Sequence, residues 1–302
     1  MPSLTAYSVG PGEAFSLASA LFWAIAVVLY KRSGESMGPF TLNLVKNLIA
    51  VILLTPTLIL FSDTSPPPLT ADQWWICIVS GVIGLALADT LYFACLYRIG
   101  ASRTGIVAAM FSPSMIALSA LFLGERLNAW QLAGFTAVVS GVVLVARADR
   151  SDCAPPKLFQ GVALGVLSVF LMAVGIVMVK RILEQFDVLW IVQIRLLAGV
   201  AGMLLLMLVM GRTHRVLRQL REPHAWGHII LASVFGSYLS MVCWQAGYKY
   251  TMASIASVLN ETSSVIIVVL AWAFLGESLT RRKLAGISLT FGGVIIMLSN
   301  VA

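Results

Sequence analysis

Four ionisable side chains fall inside long apolar stretches of the chain, where a charge is costly and is a candidate for function. Glu261, in ASVLNETSSV, stands beside Asn260, Thr262, Ser263 and Ser264, a patch too polar to face lipid. A carboxylate so placed can bind an ammonium group or take up and release a proton; the plainer reading is a hydrogen-bonded carboxyl that locks two helices together. Asp89, in LALADTLYF, has the same two readings, with Tyr92 and Tyr97 following on nearby faces. Lys46 and Arg195 lie near the ends of their stretches. There a long side chain can reach back to the headgroups, pair with a carboxylate, or meet an anionic group of a substrate.

Other residues could support those four. Trp23, Tyr92 and Trp244 lie deep in apolar stretches, where an aromatic ring either packs or stacks on an apolar or cationic substrate. Pro113 interrupts another stretch near its middle, removes a backbone donor and permits a gating hinge. Asn260 and Ser264 add hydrogen-bonding capacity beside Glu261. His224 and His228 stand four apart, but no Glu or Cys nearby completes a set, so no metal site is expected. The chain contains no phosphate-binding Gly-x-x-x-x-Gly-Lys-Ser/Thr loop, no His-Glu-x-x-His and no Gly-x-Ser-x-Gly, which argues against an ATP-driven pump and against an enzyme. No cofactor is expected.

The elements that must hold these residues are membrane helices. The 302 residues are 59% hydrophobic and 11% charged, with a mean hydropathy of +0.93, far from ordinary water-soluble usage. The apolar runs are continuous rather than alternating, which favours helices over a β-barrel, because a helix satisfies its backbone within one segment. The fold class is an all-α membrane protein. Ten spans are expected, at about 13–30, 39–61, 73–97, 101–123, 128–146, 158–179, 188–210, 224–248, 252–275 and 284–302. Cys77, Cys95 and Cys243 fall inside spans and Cys153 in a loop, so the sequence carries no disulfide framework. The net charge of +7 is scattered over short loops instead of forming a stripe, so the positive residues read as topology signals and not as a nucleic-acid surface. Most of the twenty Lys and Arg fall in the loops after odd-numbered spans, which puts both chain ends outside the cytoplasm. The basic segment RTHRVLRQLREPH reads as an amphipathic surface element attracted to anionic lipid.

The chain also repeats itself. LFLGERLNAWQLAG at 121–134 returns as AFLGESLTRRKLAG at 273–286, an offset of 152 that also pairs Gly84 with Gly236, Ala101 with Ala253 and Ser102 with Ser254. Nearer the N-terminus the offset is 149, pairing Gly12 with Gly161 and Lys46 with Arg195. Residues 1–150 and 151–302 are thus two five-span repeats, joined through ARADRSDCAPPK. Five is odd, so the second repeat enters the membrane in the opposite sense, the inverted design of secondary transporters with a site near the midplane. Gly134, Ala137 and Gly141, with Gly286 and Gly293, mark close helix contacts in spans five and ten, suited to a scaffold or a homodimer surface. In the repeated phrase, Gly124 and Gly276 suit a left-handed helix end, and Glu125 and Glu277 suit the positive end of the next helix, so the phrase reads as a turn.

These features together, with Ser112–Pro113 in the first fourth span, resemble the EamA-type members of the drug/metabolite transporter superfamily over essentially the whole chain. The resemblance implies a central cavity among spans one, three, four, six, eight and nine, and alternating access for a small organic metabolite, with amino-acid export the preferred substrate class. It also implies cytoplasmic termini, against the charge count. The partners expected are the bilayer and a small-molecule substrate; transport is either proton-coupled or facilitated diffusion. The alternatives are an intramembrane enzyme and a facilitative carrier of anionic metabolites or nucleotide sugars, the latter leaning on Lys46 and Arg195.

Overall fold

Long apolar runs without internal punctuation become helices here, as a backbone surrounded by hydrocarbon requires. The computed structural model describes residues 10–33, 37–62, 65–146, 155–223, 225–275 and 280–298. In chain order the elements are α1 (Pro11–Ser33), α2 (Pro39–Phe61), α3 (Ala71–Gly81), a π-helical segment π1 (Val82–Ala88), α4 (Asp89–Ala108), α5 (Phe111–Phe122), α6 (Ala129–Ala146), α7 (Pro155–Gln185) and α8 (Val188–Val209). Then follow α9 (Thr213–Arg221), α10 (Trp226–Ser233), a second π segment π2 (Val234–Leu239), α11 (Ser240–Tyr250), α12 (Ala253–Asn260), α13 (Thr262–Leu275) and α14 (Arg281–Leu298). No strand occurs among the described residues. Leu60, Phe61, Leu121, Phe159 and Val209 are each more than 70% exposed, an outward apolar surface that suits lipid and not water.

Seven helical stretches among the described residues are long and apolar enough to cross a membrane: Pro11–Tyr30, Pro39–Phe61, Ala71–Ile99, Phe159–Gln185, Val188–Val209, Trp226–Tyr250 and Ala253–Phe274. The other three expected spans differ for visible reasons. The fourth is split, because helix α4 runs without interruption through Arg98 and Arg103, where two charges suggested a loop, and then breaks at Ala109–Met110 before the short α5. Packing carries α4 through: a Cβ on Gly161 of α7 would lie 2.2 Å from Ile99. The fifth keeps an apolar stretch of only Ala129–Leu144, and the tenth begins on Arg281, Arg282 and Lys283. Helix α7 also outruns its expected end, so Lys180 and Arg181 are helical instead of lying in a loop.

Two features recur at the offset of 152. Segments π1 and π2 begin at Val82 and Val234, and the helix breaks fall at Ala109–Met110 and at Glu261. Helices α6 and α14 lie backbone to backbone: a Cβ on Gly141 would come within 2.6 Å of the Gly286 carbonyl, and one on Gly293 within 2.7 Å of the Gly134 carbonyl. The small residues of spans five and ten thus form a seam inside the chain.

The first copy of the repeated phrase is a turn, with a correction to what its carboxylate does. Gly124 has φ +75°, the left-handed conformation expected at a helix end. Helix α6, however, is capped by Asn128 and Gln131, which exchange side-chain and backbone hydrogen bonds at 2.8 and 2.9 Å. Glu125 reaches to the other repeat and accepts from the N–H groups of Ala253 and Ser254 and from the Ser254 hydroxyl, at 2.7–2.9 Å. It complements the N-terminus of α12 rather than that of the next helix. Gly276, Glu277, Cys153 and His224 lie outside the described residues.

Candidate functional site

The two helix breaks meet. At the first, Pro113 withholds the N–H that would bond the Ala109 carbonyl, and Met110 instead donates to Val107 at 3.0 Å in a tighter turn. At the second there is no proline, since Val265 occupies the equivalent place. Polar side chains serve there: Thr262 Oγ1 donates to the Leu259 carbonyl at 2.7 Å, and Asn260 Nδ2 to the Ala256 carbonyl at 2.8 Å. Glu261 therefore sits at the break itself, 6% exposed, with its N–H on the Val258 carbonyl and its own carbonyl accepting from Ser264 N–H, both at 3.1 Å. Across the gap, Ser112 Oγ at the start of α5 donates to Glu261 Oε1 at 2.9 Å. Beside this junction the Phe111 and Trp244 rings lie 6.3 Å apart, and Trp244 meets Tyr248 edge-on at 5.2 Å.

A second cluster surrounds Asp89. Lys46 Nζ donates to Asp89 Oδ2 at 2.7 Å and to Asn47 Oδ1 at 3.1 Å, and it lies 5.8 Å from the centre of the Phe93 ring. Asn47 Nδ2 in turn donates to Asn43 Oδ1 at 3.0 Å. Asn43 Nδ2 reaches the Leu85 and Ala86 carbonyls of π1 at 2.9 and 3.3 Å, satisfying backbone acceptors in a wide turn. Lys46 is 1% exposed and Arg195 is fully buried. Neither reaches the headgroups, which corrects that part of the expectation for both; the ion-pair reading holds for Lys46.

Trp23 and Tyr92 come together, ring centres 6.5 Å apart, while Trp244 belongs to the cluster with Phe111 and Tyr248 and has no ring contact with Trp23. Asn260 donates its amide N–H to the Ala256 carbonyl of its own helix. Sequence reasoning missed Ser112, Gln245 and Tyr248 as site residues. Ser112 stood in the quoted Ser-Pro pair, but a search for charges passes over neutral polar groups.

On one face of the helix bundle, Leu123, Glu125, Lys180, Arg181, Glu184, Lys249 and Thr251 line an open cleft of about 330 Å³. Lys180 bonds Glu184 Oε1 at 2.5 Å and the Thr251 carbonyl at 3.0 Å, and Thr251 Oγ1 donates to Glu13 Oε1 at 2.6 Å. Among the described residues no group of three or more His, Cys, Asp or Glu could hold a metal ion.

Comparison with known proteins gives the setting. A family described as the EamA-like transporter family matches residues 10–147 and again 159–299. Protein PecM of Dickeya dadantii is 24% identical over 269 residues, 83% of each chain. A protein of Clostridium kluyveri described as an uncharacterized transporter is 22% identical over 304 residues, 96% of this chain and 93% of its own. One crystal structure superposes with a TM-score of 0.76 at 18% identity, covering 94% of this chain and 95% of the other, a likeness of fold alone.

Proposed function

The chain belongs to the EamA-like transporter family and is an integral membrane protein, and from that premise we propose that it is a secondary transporter exporting small organic metabolites such as amino acids. The substrate passes between two inverted five-helix repeats by alternating access, and ten spans cross the bacterial inner membrane with both termini outside. The observation that carries this reading is that two helix breaks related by the offset of 152, at Ala109–Met110 and at Glu261, meet through the Ser112–Glu261 hydrogen bond. Interrupted helices free backbone groups that lipid does not tolerate, so such breaks suit a transporter midplane. A carboxyl at that junction suits a protonated amine or a transported proton. The Pro113 break serves as the gating element, and Trp23, Tyr92, Trp244 and Asp89 line the path.

The test is uptake into proteoliposomes of labelled amino acids, amines and sugar nucleotides, with and without an imposed pH gradient, comparing native protein with Glu261→Gln. Amine flux driven by the gradient in the native protein is expected, with exchange but no pH response in the variant. Equal, gradient-insensitive flux in both proteins would reduce Glu261 to a helix lock. Flux of sugar nucleotides alone would move the reading to the anionic carrier.

A further inference from the structure

Arg195 is the largest fully buried side chain among the described residues, and none of them answers its charge with an ion pair. Its Nη1 donates to Gln245 Oε1 at 2.6 Å, but Nε and Nη2 have no hydrogen-bond partner, nor does Nε2 of the same Gln245. Arginine does not shed its proton to escape burial. Among the described residues no acid lies within ion-pair distance of it, and the nearby Asp89 is engaged by Lys46 at 2.7 Å. A buried cation left in this condition costs several kcal/mol unless an anion meets it.

The geometry of the open atoms is informative. Nε and Nη2 form one edge of the planar guanidinium, the edge that grips a carboxylate with two parallel hydrogen bonds. The backbone packs closely against Nη2, and only glycine leaves that atom uncrowded: a Cβ added to Gly84 would come 3.3 Å from Nη2, and one added to Gly175 would come 3.3 Å from the Gly84 Cα. In the other repeat the matching glycine, Gly236, packs on apolar groups instead of a cation, its added Cβ lying 2.7 Å from the Ala26 methyl and 3.5 Å from the Trp23 ring. Helix α11 carries Gln245 beside Trp244 and, three residues further on, Tyr248, whose rings reach the Phe111 side of the Ser112–Glu261 junction.

We propose that the Nε–Nη2 edge of Arg195, with the Gln245 amide, is a subsite for a carboxylate of the transported molecule. The substrate class is then a molecule bearing a carboxylate, held by its acid end at Arg195. The subsite rests on the transporter reading and is closed off in the conformation described, as a carrier's site is between its two openings.

The test uses purified full-length protein in detergent and three matched acid/amide pairs: propionate and propionamide, 3-phenylpropionate and its amide, L-phenylalanine and L-phenylalaninamide. The readout is the concentration giving half-maximal protection against thermal unfolding. Native protein is expected to favour the acid of at least one pair by about tenfold or more, a difference typical of one charge-assisted pair. Arg195→Lys keeps a cation but not the fork, and Gly84→Ala keeps the arginine but crowds Nη2; each is expected to remove the preference while leaving the response to the amide. If acid and amide act alike on native protein, including neither acting, or if the preference survives in Arg195→Lys, the subsite is wrong. Amine flux through Glu261 would stand in either case, so the two readings fail separately.

Discussion

Lys46 and Arg195 occupy matching places in the two repeats, yet only one is neutralised. The difference lies in their partners. Asp89, which answers Lys46, corresponds at the offset of 152 to Met241, an apolar residue packed against the cluster that holds Leu85 and Leu196, so the matching place offers Arg195 no acid. Duplicated positions have thus taken different work: the first cation closes a network that fixes π1 against α2, and the second keeps two donors in reserve. The lesson is that the repeat conserves the place of a buried charge without conserving what the charge does.

The largest effect that would break this comparison comes from removing the acid. Asp89→Asn leaves the buried Lys46 without its counter-ion and is expected to cost about 3 kcal/mol, the range for an orphaned buried charge. Arg195→Met removes a cation that has no acid partner, so relief of burial offsets the unpaired Gln245 and stability stays within about 1 kcal/mol of native. Thermal unfolding in one detergent, with both variants side by side, decides the matter. Equal losses would mean that Arg195 has a counter-charge of its own and that the two sites are alike after all.

How far this was legible in the sequence depends on the range of the interaction. Helix formation follows from runs of apolar residues, and the left-handed Gly124 from its place in a phrase, so both are local and readable. The partner of Glu125 is not local: its carboxylate lies against the N-terminus of α12, 128 residues away, while the helix it precedes is capped by Asn128. The loop suggested by Arg98 and Arg103 failed because packing of α4 on α7 outweighs two charges in setting a boundary. Glu261, Asp89, Lys46 and Arg195 were visible because a charge within an apolar run is rare. Ser112 and Gln245, which complete the geometry, are neutral and left no such mark.

A smaller effect sharpens the contrast between the two helix breaks, of which the second is held by side chains. Thr262→Val removes the hydroxyl bonded to the Leu259 carbonyl while keeping shape, and should destabilise by about 1 kcal/mol, the usual worth of one such hydrogen bond. Hydrogen exchange at the amides around Glu261 should speed accordingly. Unchanged exchange there would show that the break is imposed by packing and not by its own polar residues.

An effect no larger should have the opposite sign. The first break rests on a donor withheld by Pro113, so Pro113→Ala restores an N–H that can reach the Ala109 carbonyl and lets α4 run on into α5. Residue 113 lies in the first turn of α5, where proline is tolerated, so the gain is expected to be about 1 kcal/mol and not the larger penalty of a helix interior. A continuous helix there would also move Ser112 relative to Glu261 and lengthen or break their 2.9 Å hydrogen bond. The variant should therefore unfold at a higher temperature and transport more slowly, a split that general damage would not produce, since damage lowers both. If Pro113→Ala is neither more stable nor slower, the turn at Ala109–Met110 is dictated by the helices around it, and the two breaks share one cause in packing despite their different residues.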